Sequence, residues 1–107
     1  MDETWEAVRA TVSNLDARNG TGDAETTMRI LKVTEESGEA AAAWIGAVGR
    51  NPRKGVTHTR AETADELADV ALSALVAIAS LGFDPRETLD ACGRKVLARL
   101  EPDAARP

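Results

Sequence analysis

The sequence predicts an all-α fold, a four-helix bundle-like protomer, and two observations support this. Apolar residues recur every three or four positions through most of the 107 residues, and no segment is a convincing strand. Glycine, proline and N-capping residues divide the chain into four such segments. The length is that of one domain, which we expect to span residues 1–107 with its helical core over about 24–100.

The first two predicted helices are separated by a glycine-rich break. Apolar residues at helical spacing predict a first helix over about residues 3–18: Trp5, Val8, Val12 and Leu15. Residues 19–23 interrupt the pattern, and Asp23 is the predicted N-cap of a second helix. That helix extends to about Val48, where Gly49 can end it.

The third predicted helix follows a polar, basic loop over residues 49–58. Thr59 and Glu62 match a capping box, so the helix begins there, and Gly82 ends it. From Val70 onwards the helix is apolar on nearly all sides. One small protomer can hardly cover all of this apolar surface. We therefore expect a two-fold partner, giving a homodimer or a dimer of dimers.

The fourth predicted helix begins with three signals in a row. Asp84 is an N-cap, Pro85 occupies the first helical position and Glu87 is the acid at the third. The helix is predicted to run to about Leu100, and we expect residues 101–107 to form a flexible tail. We expect the apolar side of this helix to be buried, including Cys92.

Charge and composition exclude several classes of protein. The net charge of -5 argues against a nucleic-acid partner, which needs a basic stripe. No apolar run reaches the roughly 18 residues of a membrane span, and the acidic start is unlike a signal peptide, so we expect no membrane partner. A lone cysteine allows no intrachain disulfide, and a reducing, cytoplasmic setting is the default expectation.

Five carboxylates in two short clusters are the most informative feature of the chain. Glu35, Glu36 and Glu39 lie on the second predicted helix, and Glu66 and Asp69 lie on the third. Like charges three or four residues apart on a helix repel, by about 0.2–0.5 kcal/mol per pair. Such a concentration of acids requires a cation, and carboxylate oxygens with water and substrate phosphates are what Mg²⁺ sites use.

Helical phase separates the acids from the predicted core. One side of the second helix carries the acids and small residues: Lys32, Glu35, Glu36, Glu39, Ala43 and Gly46. The opposite side carries the predicted core stripe: Ile30, Val33, Ser37, Ala41, Trp44 and Val48. On the third helix, a narrow strip holds the polar residues: Glu62, Glu66, Asp69, Ser73 and Ser80. The two acid strips therefore predict a joint metal site.

The motif Glu-Glu-x-x-Glu followed by Glu-x-x-Asp on the next helix resembles the all-α nucleoside triphosphate pyrophosphohydrolases of the MazG type. The surrounding segments are similar too, namely ILKVTEESGE at 30–39 and DELADV at 65–70, and the resemblance covers roughly residues 24–100. It implies cleavage of a (d)NTP between the α and β phosphates, giving a (d)NMP and pyrophosphate. It also implies a dimer or a pair of dimers.

The resemblance also implies roles for the acids. Glu36, Glu39, Glu66 and Asp69 would ligate Mg²⁺, for which Mn²⁺ can substitute. Glu35, the candidate catalytic residue, would either be a further ligand or help to position the attacking water. Four cations are candidates for holding the triphosphate: Lys32, Lys54, Lys95 and Arg99. Lys95 and Arg99 are spaced i, i+4 on the fourth helix, whereas Lys32 could equally be a counter-ion for Glu36.

Two other interpretations of the sequence remain open. A phosphoribosyl-ATP pyrophosphohydrolase, which shares the same helical core, is one alternative. A non-catalytic helical interaction module would carry these acids only as a solvated surface. Binding of Mg²⁺ or Mn²⁺ separates the enzymes from the module, because only the enzymes need a saturable metal site.

Overall fold

The computed structural model describes residues 2–101, which form four helices and no strand. Their bounds are α1 Asp2–Asn19, α2 Asp23–Ala47, α3 Arg60–Ser80 and α4 Pro85–Leu100. The predicted all-α class and the number of helices are confirmed. Of the predicted tail, residues 102–107 lie outside the described part of the chain.

The helix ends follow the predicted signals with one exception. Thr59 and Glu62 form a complete capping box, and the Asp84 carboxylate accepts a hydrogen bond from the Glu87 amide at 3.1 Å. The N-cap of α2 is Gly22, so the prediction of Asp23 was wrong by one residue. Asp23 lies instead in the first turn, where its negative charge still favours the positive end of the helix dipole.

The helices α2 and α3 form an antiparallel pair. Arg29, near the start of α2, bonds to Ser80 at the end of α3, and Trp44 near the end of α2 contacts Arg60 at the start of α3. At the C-terminal end of α2, the Thr57 amide donates to the Gly46 carbonyl at 3.0 Å. This bond holds the end of the connecting loop against α2.

The core lies between α1 and the C-terminal half of α3. Val8, Leu75 and Val76 are buried there, and partly buried apolar side chains surround them: Trp5, Val12, Leu15, Leu72 and Ala79. The periodicity predicted for the first helix thus marks the face that packs on α3. Trp5 also carries the Arg86 guanidinium over its ring at 4.9 Å, which joins α1 to the start of α4.

The prediction of the core stripe on α2 was wrong. Ile30, Trp44 and Val48 are 45%, 41% and 42% exposed. The buried positions of α2 are instead Arg29, Glu36, Ala40, Ala43 and Gly46. Small side chains allow α2 and α3 to approach closely, so the helices pack beside the acid strip and leave the larger apolar residues uncovered.

The fourth helix projects from the rest of the protomer. The chain turns by 114° between α3 and α4, and only Pro85 of α4 is even half-buried. Cys92 is exposed, so the prediction that it is buried was wrong within one protomer. The radius of gyration is 17.6 Å, whereas a compact domain of this length has about 13 Å. The single chain therefore leaves much apolar surface uncovered.

Within residues 2–101, no single helix combines the length and the apolar composition of a membrane span. Only α3 and α4 together satisfy both criteria, as a pair bent by 114°.

Candidate metal centre

The packing of α2 on α3 brings the five predicted acids together. Glu35, Glu36 and Glu39 form one group, and Glu36, Glu66 and Asp69 form a second. In each group, one carboxylate oxygen from every residue lies within 4.8 Å of the others. Glu36 belongs to both groups, so the two motifs meet at one residue although they lie on different helices.

The members of this acid cluster differ in burial. Glu36 is 8% exposed and Glu66 is half-buried, whereas Glu35, Glu39 and Asp69 face solvent. The Oε2 atom of Glu66 is buried and has no hydrogen-bond partner. A buried carboxylate oxygen without a partner carries a desolvation cost, which a bound cation would offset.

The ammonium group of Lys32 contacts two of the acids. It lies 2.7 Å from Oε1 of Glu35 and 3.2 Å from Oε1 of Glu36. These contacts, with that to Glu35 the stronger, raise the pKa of Lys32 above its usual value. Lys32 is thus a counter-ion of the cluster, one of the two roles its position on the acid strip suggests.

Glu39 shows the effect of crowding like charges. The negative charge of Glu36 raises the pKa of Glu39, and burial and the charges of Glu66 and Glu35 add to the effect. A nearby divalent cation would reverse this effect, because it favours the ionised carboxylate. The acid cluster therefore has the electrostatics of a site that gains stability from a cation.

The donor set could hold Mg²⁺. All donors in both groups are carboxylate oxygens, which this ion prefers over nitrogen or sulfur. Ligands of an octahedral Mg²⁺ lie about 3 Å apart when adjacent and about 4.2 Å apart when opposite, so the donor atoms, now within 4.8 Å of one another, would draw together around a bound ion. The partnerless oxygen of Glu66 adds an independent reason to expect a cation here.

The structure does not bring the remaining predicted cations to the acids within one protomer. Lys54 is exposed in a turn of the loop, and Lys95 and Arg99 are exposed on α4. From the 114° turn and a rise of about 1.5 Å per residue, the backbones of Asp69 and Lys95 lie roughly 20 Å apart. Side chains do not span that separation.

The buried Arg29 was missed in the sequence. Its guanidinium donates to Glu25 and Asp16, each at 2.8 Å, to Ser80 Oγ at 3.0 Å and to the Gly20 carbonyl at 3.2 Å. The i, i+4 spacing of Glu25 and Arg29 was visible in the sequence, but the contacts to α1 and α3 were not. Arg29 thus fixes the end of α2 that leads into the acid cluster.

No family model, curated protein or solved structure matches this chain. The chemistry of the acid cluster is therefore the basis for a functional proposal. Clustered carboxylates around a cation can bind a polyphosphate through the metal and accept a proton from water.

Proposed function

We propose that this chain is a metal-dependent nucleoside triphosphate pyrophosphohydrolase of the MazG type. It would cleave a (d)NTP between the α and β phosphates and release a (d)NMP and pyrophosphate. The observation that carries the proposal is the acid cluster itself, with Glu36 shared between two carboxylate groups and a buried oxygen of Glu66 lacking a partner. Such a site suits a hard divalent ion and, through it, a polyphosphate.

Four acids would hold the ion, namely Glu36, Glu39, Glu66 and Asp69. Bound Mg²⁺, or Mn²⁺ in its place, supplies neutralisation of the phosphate charge and a bound water that ionises readily. Glu36 and Glu66 are the more buried pair and would fix the position of the ion, while Glu39 and Asp69 face the side from which substrate arrives. These separate roles follow from how exposed each of the four side chains is.

Glu35 is the proposed catalytic base. One of its oxygens contacts Lys32 at 2.7 Å, and the side chain is exposed, so it can reach a water at the edge of the cluster. Glu35 would take one proton as the water oxygen forms its bond to the α-phosphorus and the bond to the bridging oxygen of pyrophosphate breaks. Once Glu35 has taken the proton it is neutral, and Lys32 would then balance the charge of the phosphates.

The outer phosphates need further cations, which a partner subunit would supply. Lys54, Lys95 and Arg99 remain the proposed substrate-binding residues, with α4 of a second copy carrying the last two. The exposure of α4 and of the apolar side of α2 supports a homodimer, or a dimer of dimers, because an isologous contact would cover these surfaces.

The decisive experiment measures pyrophosphate release from all common NTPs and dNTPs. We expect activity with Mg²⁺ or Mn²⁺, loss with EDTA and recovery when the metal is restored. Glu6, an exposed acid of α1, provides the matched control, and Glu6→Gln should behave like the unmodified chain. Activity unchanged by EDTA, or release of single phosphates, would contradict the proposal. Including phosphoribosyl-ATP in the screen tests the related substrate.

Isothermal titration separates the enzyme from a non-catalytic module. We expect saturable binding of Mg²⁺ or Mn²⁺ to the unmodified chain and to Glu6→Gln. The absence of saturable binding would favour a helical module whose acids are only solvated.

A further inference from the structure

A cavity of about 500 Å³ lies between α1, α2 and α3, beside the acid cluster. Lys32 lines this cavity and also contacts Glu35 and Glu36. Ser73, on its other side, lies one helical turn after Asp69. The cavity therefore opens next to the carboxylates, and its volume falls within the range of about 300–1,000 Å³ found for small-molecule sites.

The lining of this cavity is mainly aliphatic. Leu15, Met28, Leu72 and Val76 form its apolar surface, and no aromatic residue lines it. Three of its polar residues are engaged with one another, because the Glu25 carboxylate accepts hydrogen bonds from both Arg29 and Asn19. This part of the wall is held together by hydrogen bonds and offers few free groups to a ligand.

Two hydroxyl groups, those of Thr11 and Ser73, complete the lining. A hydroxyl rotates and can donate or accept a hydrogen bond, so it does not distinguish one base edge from another. To select one base, a site needs hydrogen-bonding groups at fixed positions. Binding of the wrong base then leaves some of these groups without a partner. The groups of this kind in the cavity are already engaged, because the Asn19 amide donates to Glu25 and the Lys32 ammonium contacts Glu35 and Glu36.

We propose that this cavity, which we call the nucleoside pocket, holds the base and sugar of the substrate while the acid cluster holds the phosphates. The inference rests on the proposed function. Aliphatic contact and two rotatable hydroxyls would hold purines and pyrimidines alike, so the substrate class is nucleoside triphosphates with a broad range of bases.

Two other cavities lie elsewhere on the protomer. One, of about 720 Å³, surrounds Trp5 at the junction of α1 and α4, and the other, of about 540 Å³, lies beside Trp44. Neither is lined by a member of the acid cluster or by Lys32. A nucleoside bound in either cavity would lack the connection to the carboxylates that Lys32 and Ser73 give the nucleoside pocket.

The methionine content allows a direct binding test. The chain has two methionines, Met1 and Met28. Methyl labelling of methionine therefore gives the signal of Met28, which lines the pocket, and at most one other, from Met1. We expect AMP and UMP each to shift the Met28 methyl signal saturably, because a bound base adds a ring current. Inorganic triphosphate, which has no ring, should leave it in place. No shift with either nucleotide, or a shift with only one, overturns the proposal.

A substitution that fills the pocket gives a second test. Met28 is 62% exposed, so Met28→Trp should fold, and circular dichroism checks this. We expect KM for nucleoside triphosphates to rise about tenfold or more, while the Kd for Mg²⁺ stays within about twofold. Leu31→Trp, on the same helix but outside the pocket, is the matched control. Unchanged KM for nucleotides in Met28→Trp overturns the proposal.

The two tests also separate the pocket from the proposed function. A Met28 shift in a chain that releases no pyrophosphate would support the nucleoside pocket and contradict the hydrolase. Normal hydrolysis without a Met28 shift would support the hydrolase and contradict the pocket.

Discussion

The guanidinium of Arg29 donates a hydrogen bond to the hydroxyl of Ser80 over 3.0 Å, joining the start of α2 to the end of α3. Ser80 Oγ in turn donates to the Val76 carbonyl at 2.8 Å, one turn back on α3. Arg29 also binds Asp16 on α1, so one buried side chain links three helices. We therefore expect the register of α2 against α3, and with it the meeting of the acids, to depend on this residue.

Replacing Arg29 should destabilise the protein strongly. Arg29→Leu leaves Asp16 and Glu25 without their cation, which we expect to lower the free energy of unfolding by about 2–3 kcal/mol. Arg29→Lys keeps the charge but cannot reproduce the fork of hydrogen bonds, so it should recover only part of the loss. Urea unfolding measures both variants. Full stability in Arg29→Leu would show that the network contributes little.

The network also predicts how stability depends on pH. The hydrogen bond from Arg29, with a second from Asn19, lowers the pKa of Glu25 below its usual value. Because the folded pKa is depressed, the stabilisation is complete above the unfolded pKa of about 4.3 and is lost as pH falls through the folded pKa. We expect Glu25→Gln to reduce this acid-side loss in a series of melting curves between neutral pH and pH 2. Glu6→Gln serves as the control. If Glu25→Gln loses as much stability at acid pH as the unmodified chain does, Glu25 is not the source of the pH dependence.

Glu39→Gln and Asp69→Asn should each abolish turnover while leaving the fold intact. Each substitution removes a proposed ligand charge but also relieves repulsion, which for Glu39 is visible in its raised pKa. Melting temperature without metal should therefore hold or rise, and pyrophosphate release should fall to the background. A large loss of stability in the metal-free variants would instead mean that these acids are structural.

The projecting helix α4 predicts a homodimer whose partner supplies cations. Val96→Glu places a charge on the apolar side of α4, and light scattering should show that it dissociates the dimer. Ala98→Glu, on the opposite side of α4, should leave the dimer intact. A stable, active monomer of the unmodified chain at micromolar concentration would contradict this prediction.

The proposed roles of Lys95 and Arg99 can be checked in the same system. Lys95→Ala and Arg99→Ala should weaken triphosphate binding more than metal binding. Mixing either variant with Glu39→Gln should restore part of the activity, because one site of the mixed dimer would receive intact residues from both chains. No restoration would show that each protomer uses its own cations.

The local features of this fold were predictable from short stretches of sequence. The capping box at Thr59, the N-cap at Asp84 and the helix-ending Gly49 and Gly82 all lie where the sequence predicts them. Each depends on bonds within one turn of helix or on the positive φ that glycine adopts readily, so neighbouring residues suffice. The meeting of the two acid motifs was also predictable, because helical phase places each of them on a single strip.

The packed face of α2, the Arg29 network and the nucleoside pocket depended on tertiary structure. Apolar periodicity identifies a face that favours burial but not the neighbour that covers it, and on α2 the small residues Ala40, Ala43 and Gly46 decided which face meets α3. Arg29 finds Asp16 and Ser80 far along the chain, and the pocket is the space left between three helices. The sequence by itself therefore determined the helices, the N-caps of α3 and α4 and the acid motifs. Only the packing of whole helices decided which faces became interior, because close approach depends on the shapes of both partners.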